Sequence, residues 1–209
     1  EIPGQLQKHD KKFRLSALGE DARVREYGDA FLWLKDAMTV NVAYNATEPS
    51  AGLALSAEPS TMKCYLADTG LLVSLAFGAN PKAVEEAHRR IMFDSLSFNE
   101  GMLIENIVAQ MLAARGLDLF FYSRYDKTKA EDRMEIDFLV ANAEMRRRKN
   151  VTAVEVKSEK DYSTTSLGKF CNKFRANVGE GMILHPADVS IANGVLKFPL
   201  YMTPWIAWR

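Results

Sequence analysis

The chain has little cysteine, no excess of either charge and no long apolar run, and each absence excludes a class of protein. Its two cysteines, Cys64 and Cys171, are too few for a disulfide framework and lack metal-site spacing, so reduced core thiols are expected. The 27 basic and 27 acidic side chains cancel, which excludes a global basic field for nucleic acid. No apolar run approaches the ~20 residues of a membrane helix, and the first residues do not form a signal peptide. A cytoplasmic protein without a membrane partner is therefore expected.

The sequence also lacks the G-x-x-x-x-G-K-[ST] run of a phosphate-binding loop, so these residues do not cradle a nucleotide in that way. The histidines His9, His88 and His185 share no metal-ligand spacing, and the sequence assigns them no role. What is present is an ordinary globular composition, 47% hydrophobic and 26% charged, in a chain long enough for a sizeable core. The chain begins at Glu1 without a methionine, which favours a fragment of a longer protein.

A helix, a strand, a long loop and a second strand follow one another in the first 80 residues. The helix is predicted from Val24, Tyr27, Phe31 and Leu34, which recur at three- and four-residue steps. The strand candidates are "VNVAYNA" and "MKCYLAD". This order is that of the second half of a winged-helix module, whose opening helices are not evident. Residues 1–80 are therefore predicted to form a partial winged-helix segment and a connector.

The remaining residues, 81–209, predict a separate α+β domain with a mixed sheet. A long helix is predicted to begin near Ser97 and Glu100, which have capping-box spacing, and to end at Gly116. Strands, a helix and a further strand follow as "LDLFFYS", "MEIDFLV", "VTAVEVK", "TSLGKFCNKFRA" and "GMILH", an α-β-β-β-α-β order. The apolar tail contains Pro199 and Pro204, and its prolines favour an edge or surface strand.

Two of these apolar strands carry charged residues at alternate positions. Neighbouring side chains of a strand point to opposite faces, so Glu135 and Asp137 share one face, and Glu155 and Lys157 share a face of the next strand. The other face of the first strand is predicted to hold Ile136, Phe138 and Val140. If the strands pair through the polar loop between them, Asp137, Glu155 and Lys157 converge on one side of the sheet. Glu135 is either a supporting acid or a plain surface charge.

Glu105 lies on the long helix at the edge of its apolar stripe, and a helix packed on that side of the sheet would bring it to the same place. Like charges in a partly buried site repel, and a hard divalent cation with oxygen ligands removes that cost. Asp137, Glu155 and Glu105 are thus the predicted ligands of Mg²⁺ or Mn²⁺. Lys157 would orient a water or steady the transition state of phosphodiester hydrolysis.

The run "IDFLV", followed by "EVK" and a helix, resembles the motif of the PD-(D/E)XK nuclease superfamily, with Glu155 eighteen positions after Asp137. Ile136 stands where the motif has proline. Glu105 resembles the additional acidic ligand of the Holliday-junction resolvase-like branch. The resemblance implies a restriction-endonuclease-like α-β-β-β-α-β core and a catalytic set of Glu105, Asp137, Glu155 and Lys157.

Nearly the whole chain resembles the C-terminal region of a prokaryotic AAA-type ATPase family with an uncharacterised nuclease-like domain. The similar stretches include "KKFRLSAL", "ARVREYGDAFLWLKDA", "KCYLADTGLL", "GMLIENIVAQML", "EIDFLV" and "AVEVKS". The resemblance implies an ATPase module upstream of these residues, which would be the only part to bind ATP. It also implies DNA as a partner.

Other interpretations of the same residues are open. Strand carboxylates beside a lysine often form an ion pair on a solvated face. A nuclease-like fold attached to an ATPase can also serve as a non-catalytic module that binds DNA or protein and regulates the ATPase. A homo-oligomerisation domain would fit the neutral charge and the apolar tail "PWIAWR". Six basic side chains are candidate DNA contacts, with a solvated surface charge as the alternative for each: Arg146, Arg147, Arg148, Lys149, Lys169 and Lys173.

Overall fold

The structure, a computed structural model, describes residues 1–8, 11–13, 24–50, 52–78, 80–92, 100–124, 133–141, 149–159, 162–179, 181–192 and 194–208. Its α-helices are α1 (Ile2–Leu6), α2 (Val24–Asp36), α3 (Thr69–Phe77), α4 (Pro81–Met92), α5 (Glu100–Ala114) and α6 (Thr165–Lys173). Its strands are β1 (Val40–Ala46), β2 (Ala57–Leu66), β3 (Leu119–Arg124), β4 (Met134–Ala141), β5 (Val151–Val156), β6 (Met182–His185), β7 (Ser190–Ala192) and β8 (Val195–Pro199). Further 3₁₀ helices cover Leu53–Ser56 and Leu200–Trp208.

The strands form one mixed sheet in the order β2-β1-β3-β4-β5-β6-β8-β7. Strand β4 is antiparallel to both β3 and β5, whereas β5, β6 and β8 run parallel to one another. The predicted α-β-β-β-α-β order is confirmed as α5, β3, β4, β5, α6 and β6. Strand β1, which the sequence assigns to the winged-helix segment, pairs in parallel with β3 through Ala43, Tyr44 and Asn45.

Helix α6 is the crossover between the parallel strands β5 and β6, a connection that two parallel neighbours require. Its apolar residues Leu167 and Phe170 are buried in a core cluster with Val151 and Ala153 of β5. The Phe170 ring also lies 4.9 Å from the ring of Tyr122, between centroids. Because β5 side chains alternate, α6 covers the face of β5 that carries Glu155.

Strand β4 contains an irregularity that the sequence does not predict. Phe120 pairs with Leu139 and Tyr122 pairs with Ile136, so β4 uses one residue more than β3 between the two pairs. Ile136 and Leu139 consequently lie in the same core cluster, which does not contain Phe138. The expectation that Ile136, Phe138 and Val140 share one face is therefore wrong. A bulge of this kind interrupts strict alternation and re-aims the side chains at the extra residue.

The chain forms two compact units that are discontinuous in sequence. The first consists of residues 1–42 and 60–110, and the second of residues 43–59 and 111–209. The division into a winged-helix segment, 1–80, and a nuclease-like domain, 81–209, stays a prediction. Within the described ranges, no helix combines the length and the apolar character that a membrane crossing requires.

Local sequence signals predict the C-terminal end of α5, but they do not predict the position of β8 in the sheet. Gly116 follows α5 with a φ of 75°, which confirms the predicted C-terminal cap, while Ser97 lies outside the described residues. The prolines of the tail predict an edge or surface strand; the tail supplies β8, which lies next to the edge and is covered by β7 on its outer side. Pro199 ends β8, and the chain then enters the last 3₁₀ helix.

Candidate functional site

Asp137 lies at the bulge of β4 and contacts the neighbouring strand. Its Oδ2 accepts a hydrogen bond of 2.8 Å from the backbone N–H of Val156 in β5. The predicted pairing of the two acid-bearing strands is confirmed, with Phe138 opposite Val154 and Leu139 opposite Ala153. The Asp137 carboxylate thus lies against the end of β5, beside the segment that carries Glu155 and Lys157.

Glu155 is a buried acid, only 2% exposed. The backbone N–H of Leu167, in the first turn of α6, donates a hydrogen bond to its carboxylate, and first-turn N–H groups have no partner inside their own helix. Its Oε2 lies 2.8 Å from Nζ of Lys157, and the two side chains form an ion pair. Apart from Lys157, no donor among the described residues reaches that buried oxygen.

Burial is the largest influence on the Glu155 carboxyl, and it raises the pKa of that group. The Lys157 ammonium and the Leu167 N–H act in the opposite direction and offset only part of the rise. Lys157 is itself 25% exposed, so solvent weakens its attraction. Glu155 is therefore an acceptor whose charge the surrounding residues do not fully compensate.

Glu105 has different partners from those that the sequence predicts. It is 2% exposed, and its Oε1 accepts hydrogen bonds from Lys63 at 3.2 Å and from the Tyr65 hydroxyl at 2.5 Å. Oε2 is paired with Lys11. Burial alone would raise the pKa of Glu105, but Lys63 and Lys11 prevail and lower it to about 2. All four residues belong to the first unit, whereas Asp137 and Glu155 belong to the second.

The described residues contain no group of three or more His, Cys, Asp or Glu side chains that could hold a metal ion. The expected cluster of three carboxylates is thus not assembled among them. Strand pairing brings Asp137 to β5, and an ion pair joins Glu155 to Lys157. Glu105 is neutralised by lysines. The roles predicted for these four side chains stay predictions.

Three of the six basic candidates belong to the described residues. Arg146, Arg147 and Arg148 lie outside the described residues. Lys149 is exposed just before β5, and Lys169 and Lys173 are exposed on α6.

The cysteines fit the expectation of core thiols, since burial raises the pKa of Cys64 to about 12 and Cys171 is a half-buried free thiol.

No sequence pattern singles out Tyr162, His185 and Lys197, yet the parallel strands bring them to the Glu155 face of the sheet. Ile183 is the register partner of both Glu155 and Lys197, and neighbours in register share a face. His185, two residues after Ile183, shares it as well. Only the strand order β5-β6-β8 reveals this neighbourhood, and strand order is not written in local sequence.

The apolar cavity beside β4 does not mark this site. It has a volume of about 240 Å³ and is lined by residues of the second unit that include neither Asp137 nor Glu155. The acids instead lie where β5 ends and α6 begins, and ligands of parallel sheets bind preferentially at the carboxyl ends of strands.

Comparison with known proteins gives one partial match. Residues 100–201, from the start of α5 to the first residues of the last 3₁₀ helix, match the family of a domain of unknown function (DUF4143), which occurs in AAA-ATPase-associated proteins. This region contains Glu105, Asp137, Glu155 and Lys157. No curated protein and no solved structure matches the chain.

Proposed function

We propose that Asp137 and Glu155 bind a divalent cation, Mg²⁺ or Mn²⁺, in a PD-(D/E)XK nuclease-like domain of an AAA-ATPase-associated protein that acts on DNA phosphodiesters. The observation that carries this proposal is the buried Glu155 carboxylate, whose Oε2 atom has the partly exposed Lys157 ammonium, 2.8 Å away, as its one donor among the described residues. A buried carboxylate whose charge is only partly compensated costs free energy, and its oxygens are of the kind that a hard cation ligates.

The number of carboxylates suffices for this role. Mg²⁺ is usually bound through one or two carboxylates, with waters and substrate phosphate in the remaining positions. Asp137 and Glu155, on paired strands, supply two. Glu105, the third predicted ligand, has its charge balanced by Lys11 and Lys63 and is not needed. When bound, the cation supplies an acidified water and neutralises charge on the phosphodiester.

Lys157 is the side chain that would act on the substrate. It is partly exposed and forms an ion pair with Glu155. Once that carboxylate is occupied by a cation, the ammonium no longer needs Glu155 as its counter-charge and can bind a phosphate oxygen or hold the attacking water. Its positive charge would then stabilise the negative charge that develops on the phosphate.

The ion pair also favours a second candidate, a non-catalytic DNA- or protein-binding module. Lys157 already compensates part of the Glu155 charge, and no cluster of three ligands occurs among the described residues. In this alternative Glu155, paired with Lys157, holds α6 to β5 through the Leu167 N–H, and the domain serves only to bind a partner for the ATPase.

Calorimetric titration with Mn²⁺ separates the two candidates. The wild-type protein should bind the ion, while Asp137→Ala and Glu155→Gln should not. Glu86→Gln, which removes an exposed acid on α4, is the matched control and should bind as wild type. Because the pKa of Glu155 is raised, Mn²⁺ affinity should increase as pH rises through that pKa. Wild-type protein that binds no Mn²⁺ at millimolar concentrations would exclude the cation site.

A cleavage assay then tests the chemistry. Plasmid, branched and single-stranded DNA are incubated with Mn²⁺ and either wild-type protein or Lys157→Ala. Hydrolysis by the wild type that is lost in the variant supports the nuclease. Equal inactivity of two proteins that both bind Mn²⁺ would favour the non-catalytic module.

A further inference from the structure

The face of the sheet that carries Glu155 continues as a row of side chains toward β8. Glu155, Ile183 and Lys197 are register partners on β5, β6 and β8. One step further along the strands, the backbone N–H of Lys157 donates to the Leu184 carbonyl at 2.8 Å, which sets Lys157 beside His185. Two lysines and a histidine thus accompany the acid at the carboxyl ends of three parallel strands.

Tyr162 and His185 form a fixed pair above this row. The Tyr162 hydroxyl lies 3.3 Å from Nδ1 of His185, and Nε2 of the same ring lies 3.2 Å from the backbone carbonyl of Asp188. A carbonyl oxygen only accepts, so Nε2 carries the proton and Nδ1 accepts from the tyrosine. Since Tyr162 lies shortly before α6, the pair joins the residues in front of that helix to the end of β6.

The ammonium group of Lys197 contacts the ring of the same tyrosine. Its Nζ lies 4.9 Å from the centroid of the Tyr162 ring, within the range of a cation–π contact. The side chain is half-buried, and in the described part of the chain it forms no ion pair. A lysine positioned by an aromatic ring and without a carboxylate counter-ion can bind an anion from outside.

We propose that Lys197 binds a second phosphate of a nucleic-acid strand whose reacting phosphate lies at Asp137 and Glu155, with Tyr162 and His185 as positioning residues. This rests on the proposed function and specifies its substrate as a polymeric phosphodiester. The two acids and the two lysines cancel in charge, so the row does not repel a phosphate at Lys197 when no cation is bound, and a bound divalent cation makes the row positive. Strand spacing of ~4.8 Å puts Lys197 about 10 Å from β5.

Binding of a fluorescent single-stranded oligonucleotide, followed by anisotropy in EDTA at several salt concentrations, tests the proposal without cleavage. Lys197→Gln should weaken binding several-fold and reduce the slope of log affinity against log salt by about 0.7, the value for one phosphate contact on a single strand. Lys197→Arg should keep the wild-type slope. Lys82→Gln, which removes an exposed lysine of α4, is the matched control and should change neither quantity.

The tyrosine is tested in the same assay. Tyr162→Phe keeps the ring under Lys197 but loses the bond to His185, so it should weaken binding and keep the slope, whereas Tyr162→Leu should shift the slope as Lys197→Gln does. Inorganic phosphate should compete poorly, because the site recognises a chain of phosphates. A wild-type protein that does not bind the oligonucleotide, or equal effects of Lys197→Gln and Lys82→Gln, would overturn the proposal. Since EDTA removes the cation, failure here leaves the Mn²⁺ result standing, and failure of Mn²⁺ binding leaves this result standing.

Discussion

Replacement of Glu105 by glutamine tests whether charge pairing stabilises the first unit. Glu105 is buried on α5 and contacts Lys63 at 3.2 Å, the Tyr65 hydroxyl at 2.5 Å and Lys11. Lys63 is 0% exposed, so both members of that ion pair are removed from water. Glutamine keeps the size of the side chain and its hydrogen-bonding oxygen but removes the charge that the two lysines contact.

Two routes give a similar magnitude for the loss. Removal of one member of a buried ion pair costs about 3–5 kcal/mol, because the other charge keeps its desolvation penalty. Independently, the pKa of Glu105 falls from 4.5 to about 2 on folding, which corresponds to ~3 kcal/mol. We therefore expect Glu105→Gln to lower the free energy of unfolding by about 3 kcal/mol near neutral pH.

The pH dependence has a defined sign. The folded pKa lies below the unfolded value, so this stabilisation is present above pH about 4.5 and is lost as the pH falls toward about 2. Urea unfolding followed by circular dichroism at several pH values measures it. Wild type should lose stability across that window, and Glu105→Gln should lose less.

Glu86 provides the control, because its pKa is also lowered to about 2, by hydrogen bonds from Arg89 and Arg90. That carboxylate is exposed, and exposed pairs contribute little because solvent screens them. Glu86→Gln should leave the unfolding curve nearly unchanged. A loss below about 1 kcal/mol for Glu105→Gln, or equal losses for the two variants, would refute the argument that burial decides the strength of the pair.

Two further predictions concern a side chain that bonds to the backbone and two glycines whose backbone conformations differ. The Asn106 side chain accepts from the Leu66 N–H at 2.9 Å and donates to the Leu66 carbonyl at 3.1 Å, so Asn106→Ala should cost about 1–3 kcal/mol in urea unfolding. Unchanged hydrogen exchange at the Leu66 amide would contradict this assignment. Glycine-to-alanine replacement should have opposite signs at two sites. Gly116→Ala, at a φ of +75°, should destabilise by about 1 kcal/mol, and Gly168→Ala, inside α6 with open space around it, should stabilise by up to ~1 kcal/mol. Thermal unfolding measures both, and shifts of the same sign would be contrary to expectation.

Elements with strong periodicity or a clear stop signal are those that the sequence predicts well. Helix α5 ends at Ala114, two residues before the predicted glycine, and β1 coincides with "VNVAYNA". Phe31 is buried on α2 as its spacing predicts. These features depend on contacts between residues close in sequence, so they can be predicted from a single sequence.

The features that the sequence does not predict depend on contacts between residues that are distant in sequence. The bulge at Asp137 arises from pairing with β3, whose residues are more than ten positions away. The lysines that pair with Glu105 are separated from it by 94 and 42 positions. Pattern analysis can place an acid on the buried edge of a helix, but it cannot tell whether a metal or a lysine neutralises that acid.

Charge balance distinguishes the two buried acids. Glu105 and Glu155 are equally inaccessible, each 2% exposed. Two lysines compensate the charge of Glu105 and a hydroxyl donates a hydrogen bond to it, and the pKa of Glu105 is lowered. Glu155 has one partly exposed lysine and one backbone N–H as partners, and its pKa is raised. A divalent cation at Glu105 would have to displace two ammonium groups, whereas at Glu155 it would displace one, the partly exposed Lys157. We therefore expect any divalent cation to select Glu155 and its neighbour Asp137, and we expect Glu105 to act in stability.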